Sequence, residues 1–347
     1  MRWLATLFAT LCAALLVASC AKPLPAGVTE LTYATPYPPS HPFSKADQRW
    51  MDWVEEQSQG RIRVRPLWSG SLLSADMSME ELRHGVADIG LITPIYVRGG
   101  THLIRIQSGF YSGVKTVEGQ VALYRCLEAG EPQVARELQG LKVLAVQGGL
   151  LPGLLTRNRR VTSLDDIRGL RIRAPTELLP VLRNLGADPV NMPMGEVYSA
   201  LTKGVIDGVV APPDTFRALH FVDVGKYYFD MQVPRGAYPA RAMGEARWNT
   251  LEPWQRDLLE RSTAVWEAAL AEEIRASEAV GRAAGEGIIT YARITPADQR
   301  RFDELYLHDA RINAQRLNAY GIDGLRAFNL VRSSIAGPDT ITCGDPS

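Results

Sequence analysis

No block of one charge sign runs through this sequence: 38 Lys+Arg offset 38 Asp+Glu over 347 residues. That balance removes the basic footprint a nucleic-acid partner requires. Histidine is scarce, and the five present (His41, His84, His102, His220 and His308) form no H-x-x-x-H or H-E-x-x-H pair. With cysteine only at 12, 20, 126 and 343, no zinc-type spacing exists. There is no G-x-S-x-G elbow, no P-loop and no G-x-G-x-x-G after a strand. The segment "GGLLPG" at 148–153 has the glycines of a phosphate cradle but not its Lys-Ser/Thr or its helix. Adjacent acids such as Asp165-Asp166 and Glu55-Glu56 fall on polar helix faces. These absences predict a protein that binds rather than reacts, with no catalytic residues, no cofactor and no metal.

Long apolar runs are also missing, with one exception. "MRWLATLFATLCAALLVASCAK" has one Arg, an apolar run from Trp3 to Ala18, then Ser19-Cys20. A cationic residue, a short apolar run and small residues make a secretory signal peptide over 1–19, too short for a comfortable membrane span. "VASC" resembles a bacterial lipobox, in which Cys20 becomes the first mature residue and carries a lipid. The alternative is an ordinary cleavage site beside an incidental cysteine. On the lipobox reading the protein is periplasmic and touches a membrane through the Cys20 lipid alone. Cys12 leaves with the leader, so Cys126 and Cys343 remain as an even pair in an oxidising compartment. They either form one disulfide pinning the tail "DTITCGDPS" to the body or are two unrelated thiols, because sequence cannot set their separation.

What is present is an alternation of strands and helices. "ELTYAT" reads as a strand, followed by a helix with Ala46, Trp50, Trp53 and Val54 on one face and Gly60 as stop. "RIRVRPLW", "VADIGLIT" and "LKVLAV" read as strands separated by helices at roughly 75–85 and 117–129. This order predicts an α/β protein with parallel pairing. The pattern restarts near 151. "VYSALTKGVIDGVVAP" repeats the form of "MEELRHGVADIGLIT", as in two lobes of related build. From about 252 to 284 no strong breaker intervenes, which predicts a helix of roughly 45 Å at 1.5 Å per residue, long enough to lie across both lobes.

Within the second unit, "GLRIRAP" at 169–175 holds two arginines in an apolar setting. Alternation puts Leu170 and Ile172 on one face and Arg171 and Arg173 on the other. "GRIRVRP" at 60–66 has the same rhythm, so the pattern by itself is no site. Tyr37 in "PYPPSHP" and Tyr96 in "TPIYVRGG" follow strands, where loops face the cleft of α/β lobes. There they either meet a ligand or pack over a lobe edge.

"HPFSKADQRWMDWVEEQSQGRIRV", "HGVADIGLIT", "VTSLDDIRGLRIRAP", "LGADPVNMPMGEVYSALTKGVIDGVVAP" and "ARWNTLEPWQRDLL" resemble the extracytoplasmic solute-binding proteins of tripartite ATP-independent periplasmic (TRAP) transporters. The resemblance implies a two-lobed periplasmic-binding-protein fold with an interlobe ligand cleft and a long helix spanning both lobes. It implies lobe I over 30–150 plus about 236–278 and lobe II over 151–235 plus about 279–332. A linker at 20–29 and a tail at 333–347 lie outside the lobes. It also implies a small organic acid as ligand, the small and large TRAP membrane subunits as partners, and Arg173 as the carboxylate anchor. A guanidinium offers a carboxylate two parallel donors with fixed direction. Other pocket positions depart from the family pattern: Gly153 stands where many relatives have a second arginine, Met194 for an aromatic, Ala211 for a polar residue and Thr93 for an acid. Together they imply one strong anion anchor in a less polar cleft, and so a monocarboxylate with an apolar, keto or aromatic body. The competing readings are a C4-dicarboxylate binder and a ligand-binding input protein of a sensory system.

Overall fold

Alternating residues in "TELTYA" and "IRVRPL" form two parallel strands, β1 (Thr29–Ala34) and β2 (Ile62–Leu67), with Thr29 opposite Ile62 and Ala34 opposite Leu67. The computed structural model describes residues 25–97 and 99–344. The signal-peptide and Cys20 assignments therefore fall outside the described residues, as do the last three residues of the tail. The remaining main strands are β3 (Ile89–Leu91), β4 (Leu141–Gln147), β5 (Gly153–Thr156), β6 (Arg171–Arg173), β7 (Asp188–Val190), β8 (Gly208–Ala211), β9 (Tyr227–Asp230), β10 (Tyr238–Gly244) and β11 (Thr290–Arg293). The longer helices are α1 (Pro42–Gln57), α2 (Val117–Gly130), α3 (Met194–Lys203), α4 (Pro253–Ala284), α5 (Pro296–Arg316) and α6 (Gly324–Ser333).

Two sheets result, β2-β1-β3-β10-β4 in lobe I and β11-β9-β5-β8-β6-β7 in lobe II. Pairing is not all parallel. β10 runs antiparallel between β3 and β4, and β5 runs antiparallel to β8 and β9. The cause is connectivity. After lobe II the chain returns to lobe I and enters its sheet from the opposite direction.

α4 is the long helix expected from the unbroken run, with Pro253 in its first turn and a capping box from Glu252 and Gln255. In lobe I its Trp266 stacks face to face on Trp50 of α1, with ring centroids 3.7 Å apart. Near its far end Gly281 lies directly on the Pro213 carbonyl of lobe II, where any Cβ would overlap backbone. Glycine lowers helix propensity by roughly 1 kcal/mol relative to alanine, and here the close approach of two backbones requires it.

α5 crosses between the lobes. Its Phe302 and Tyr306 belong to the lobe II core, whereas Ala310 and Ala314 pack with Leu123, Leu127 and Phe328 in lobe I. α6 lies wholly on lobe I, with Ala327 and Val331 in the same core. The expected assignment of 279–332 to lobe II is corrected accordingly: the chain changes lobe within α5 and stays. Helical periodicity shows that a helix has an apolar stripe, not which partner covers it.

Cys126 of α2 and Cys343 are joined by a disulfide, with Cα atoms 5.1 Å apart. The bond clips the chain's end to lobe I. Among the described residues no helix is long and apolar enough to cross a membrane.

Candidate functional site

The loops that follow the parallel strands β1, β3, β6 and β8 converge between the two sheets, at the carboxyl ends where α/β folds place ligands. They enclose a cavity of about 120 Å³. At roughly 10–15 Å³ for each water-sized group, that is space for a small organic molecule.

Arg173 ends β6. Leu170 and Ile172 are buried in the lobe II core, and Arg171 is exposed and pairs with Asp188 at 2.9 Å. Arg173 shares the face of Arg171 but lies under lobe I and is only 2% exposed. Its Nε donates to the Met192 carbonyl at 3.1 Å, and its Nη2 donates to the Tyr96 hydroxyl at 2.5 Å. Tyr96 comes from the loop after β3, so this contact crosses the cleft. Nη1 has no protein hydrogen-bond partner among the described residues. The arginines of the other segment are different: Arg63 and Arg65 pair with Glu55 and Glu30 on the solvent side of β2.

Tyr37, Thr93, Tyr96, Arg173 and Met194 all line the cavity. Tyr37 stacks on His41 at 4.1 Å and meets the edge of Phe43 at 5.3 Å. Burial pushes the His41 imidazole down to about 3, helped by the charge of Arg241, so the ring is neutral at ordinary pH. Thr93 spends its hydroxyl on the Ala75 carbonyl, 2.5 Å away.

Gly153 and Ala211 do not line the cavity. They face each other across the β5–β8 pair. The Gly153 amide donates to the Tyr228 hydroxyl at 2.8 Å, which donates to the Ala211 carbonyl at 3.2 Å. A Cβ on Gly153 would come 2.5 Å from the Phe229 carbonyl oxygen and 2.7 Å from the Tyr228 hydroxyl. Tyr228 occupies the room a longer side chain would need.

Sequence reasoning missed Arg235, Glu177 and Asp214, which also line the cavity. Arg235 lies in "VPRGAYP", where the chain passes back to lobe I, and lies over Gly149, where a Cβ would collide with its guanidinium. Glu177 and Asp214 follow β6 and β8. Burial pushes the Glu177 carboxyl up to about 7, opposed by its own backbone N–H and by Arg173 and Arg235. Burial likewise pushes Asp214 up to about 6, opposed chiefly by Arg235. The expectation of a single cation in a less polar cleft is therefore corrected: a second arginine and two carboxyls share the space. Proline-flanked Arg235 has no periodic signal, although its place at a lobe crossing is a usable clue.

A family model described as DctP, bacterial extracellular solute-binding protein, family 7, matches residues 33–306. The chain belongs to this family. A solute-binding protein of Albidiferax ferrireducens is 25% identical over 59% of this receptor and 61% of its own length, so the shared region is under two thirds of that relative. The sialic acid-binding periplasmic protein SiaP of Vibrio cholerae is 25% identical over 71% of the receptor and 77% of its own length. A TRAP solute-binding protein from Rhodoferax ferrireducens, solved with copurified benzoate, superposes with a TM-score of 0.79. It is 23% identical, and the match covers 88% of the receptor and 97% of that chain. The likeness establishes the two-lobed fold. The family and this structural neighbour are substrate-binding receptors, not enzymes.

Proposed function

We propose that the receptor captures a small monocarboxylate with an apolar, keto or aromatic body in the interlobe cavity and delivers it to the small and large TRAP membrane subunits. Arg173 is the carboxylate anchor. The observation that carries this reading is that Arg173 is 2% exposed, its guanidinium held by Met192 on one lobe and Tyr96 on the other, with Nη1 unpaired among the described residues. Tyr37, Phe43, Tyr96, Leu178, Met194 and Val210 supply apolar walls, which suit a ring or short chain. The benzoate found with the Rhodoferax protein is an acid of that class. A second carboxylate would share the space with Glu177 and Asp214, whose ionised forms repel it, with Arg235 alone left to offset that charge. Closure follows when the ligand binds the closed state better than the open one.

A thermal-shift panel of mono- and dicarboxylates tests the ligand class. A ligand at 100 times its Kd adds about 2.7 kcal/mol, a visible shift in Tm. Succinate or malate binding more tightly than every monocarboxylate overturns the proposal. Tethering through Cys20 is part of the same reading. Mass spectrometry of the mature N-terminus is expected to find a lipid-modified Cys20, and an unmodified start elsewhere removes the anchor.

A further inference from the structure

The cavity holds two arginines and two carboxyls, yet no ion pair joins them among the described residues. Glu177 is 8% exposed and Asp214 6% exposed. Each has one carboxyl oxygen, Oε2 of Glu177 and Oδ1 of Asp214, that is buried without a hydrogen-bond partner among the described residues. Both residues line the same cavity as Arg173 and Arg235. A buried acceptor left unsatisfied is costly and calls for an explanation. In an open cleft water can satisfy these oxygens. Once the lobes close, a donor on the molecule in the cavity can take that water's place.

The two kinds of group divide the work. Arginine offers only donors, so it complements an acceptor such as a carboxylate or a carbonyl. Glu177 and Asp214 offer acceptors, so they complement an O–H or N–H. Phe43, Leu178 and Val210 line the same cavity and reject polarity elsewhere. Resting on the carboxylate reading of Arg173, we infer that the cavity selects acids that also carry a hydrogen-bond donor, a hydroxyl or an amino group, and that Glu177 and Asp214 are the acceptors that read it. An acid without that donor closes the cleft over two unpaired oxygens. Sites built to bond a polar group discriminate strongly against analogues that lack it.

Two matched series test this on the purified protein by calorimetry: phenylacetate, mandelate and phenylglycine, then propionate, lactate and alanine. Each series adds a hydroxyl or an ammonium to one parent acid, so hydroxyl and amino preference are read separately. In at least one series the donor-bearing acid is expected to bind about 10- to 100-fold more tightly than its parent. Glu177→Leu and Asp214→Leu should cut that ratio to within about threefold. The ligand-free Tm of these variants should hold or rise, since leucine removes a buried unpaired oxygen, and this confirms folding. A panel in which no donor-bearing acid outbinds its parent overturns the inference. So does a preference that survives both leucine variants. Arg173→Ala separates the two readings. If it weakens every acid while the donor makes no difference, the carboxylate anchor stands and the inference falls. If it spares binding, the anchor fails, and the leucine variants still decide the donor preference.

Discussion

Arg173→Ala is expected to weaken binding of the cognate acid by about 10²–10³-fold, or roughly 3–4 kcal/mol, from the loss of charge-assisted hydrogen bonds to a desolvated carboxylate. Two things go at once: the donors, and the compensation for burying the ligand's charge. The second dominates, because an unpaired charge in a closed cleft costs more than a paired one gains. Arg173→Lys should recover part of the loss. Lysine keeps the charge but cannot hold Met192 and Tyr96 while presenting a parallel pair of donors. Arg171→Ala is the internal control. Arg171 pairs with Asp188 on the surface, with side chains 53% and 60% exposed, and should leave binding unchanged. Calorimetry on the three variants, with melting curves to verify folding, makes the comparison. Affinity within about threefold of wild type in Arg173→Ala would remove the anchor assignment.

Asp47→Ala should cost roughly 3–5 kcal/mol of stability, the range for breaking a buried ion pair on one side. Asp47 and Arg241 are both fully buried, 2.9 Å apart. Asp47 also accepts from the Tyr33 hydroxyl at 2.5 Å and from Trp266 Nε1 at 2.9 Å. Without the carboxylate, Arg241 keeps its bond to Gln147 at 2.8 Å but remains a buried cation, with its Nη2 already unpartnered among the described residues. The group links α1, β1, β10 and α4, so its loss loosens the wall that carries Phe43 and Tyr238 as well as the lobe I core. Against a typical total of roughly 5–15 kcal/mol, urea unfolding will show the change clearly. Asp47→Leu combined with Arg241→Met should recover much of it, since an apolar pair of similar volume replaces the charges. A loss below about 1 kcal/mol in the single variant would mean that solvent reaches Arg241.

β10 shows why part of the fold was not legible. "YPARAMG" carries a proline and an arginine, both of which argue against a central strand. Yet it lies between β3 and β4, with register shifts around Pro239 and Arg241. The irregularity accommodates the proline, and Asp47 neutralises the arginine, a partner 194 residues away. No local window contains that information. The helices from Pro253 and Pro296, by contrast, begin where an N-cap and a first-turn proline place them. Gly204 and Gly321 stop their helical segments in the left-handed conformation.

The sequence by itself determined the lobed α/β pattern, the long helix and the scarcity of catalytic motifs. Those depend on spacing along the chain, which periodicity and capping express directly. Tertiary structure alone decided that Arg173 is buried while Arg171 is not, since a strand face is the same for both until the other lobe covers one end. It also decided that Gly153 and Ala211 face Tyr228 instead of the cavity, and that Arg235, Glu177 and Asp214 share a space with Arg173. Charges from separate loops meet only when the strands that carry them assemble into one sheet, and burial, which sets their strength, exists only in the folded protein.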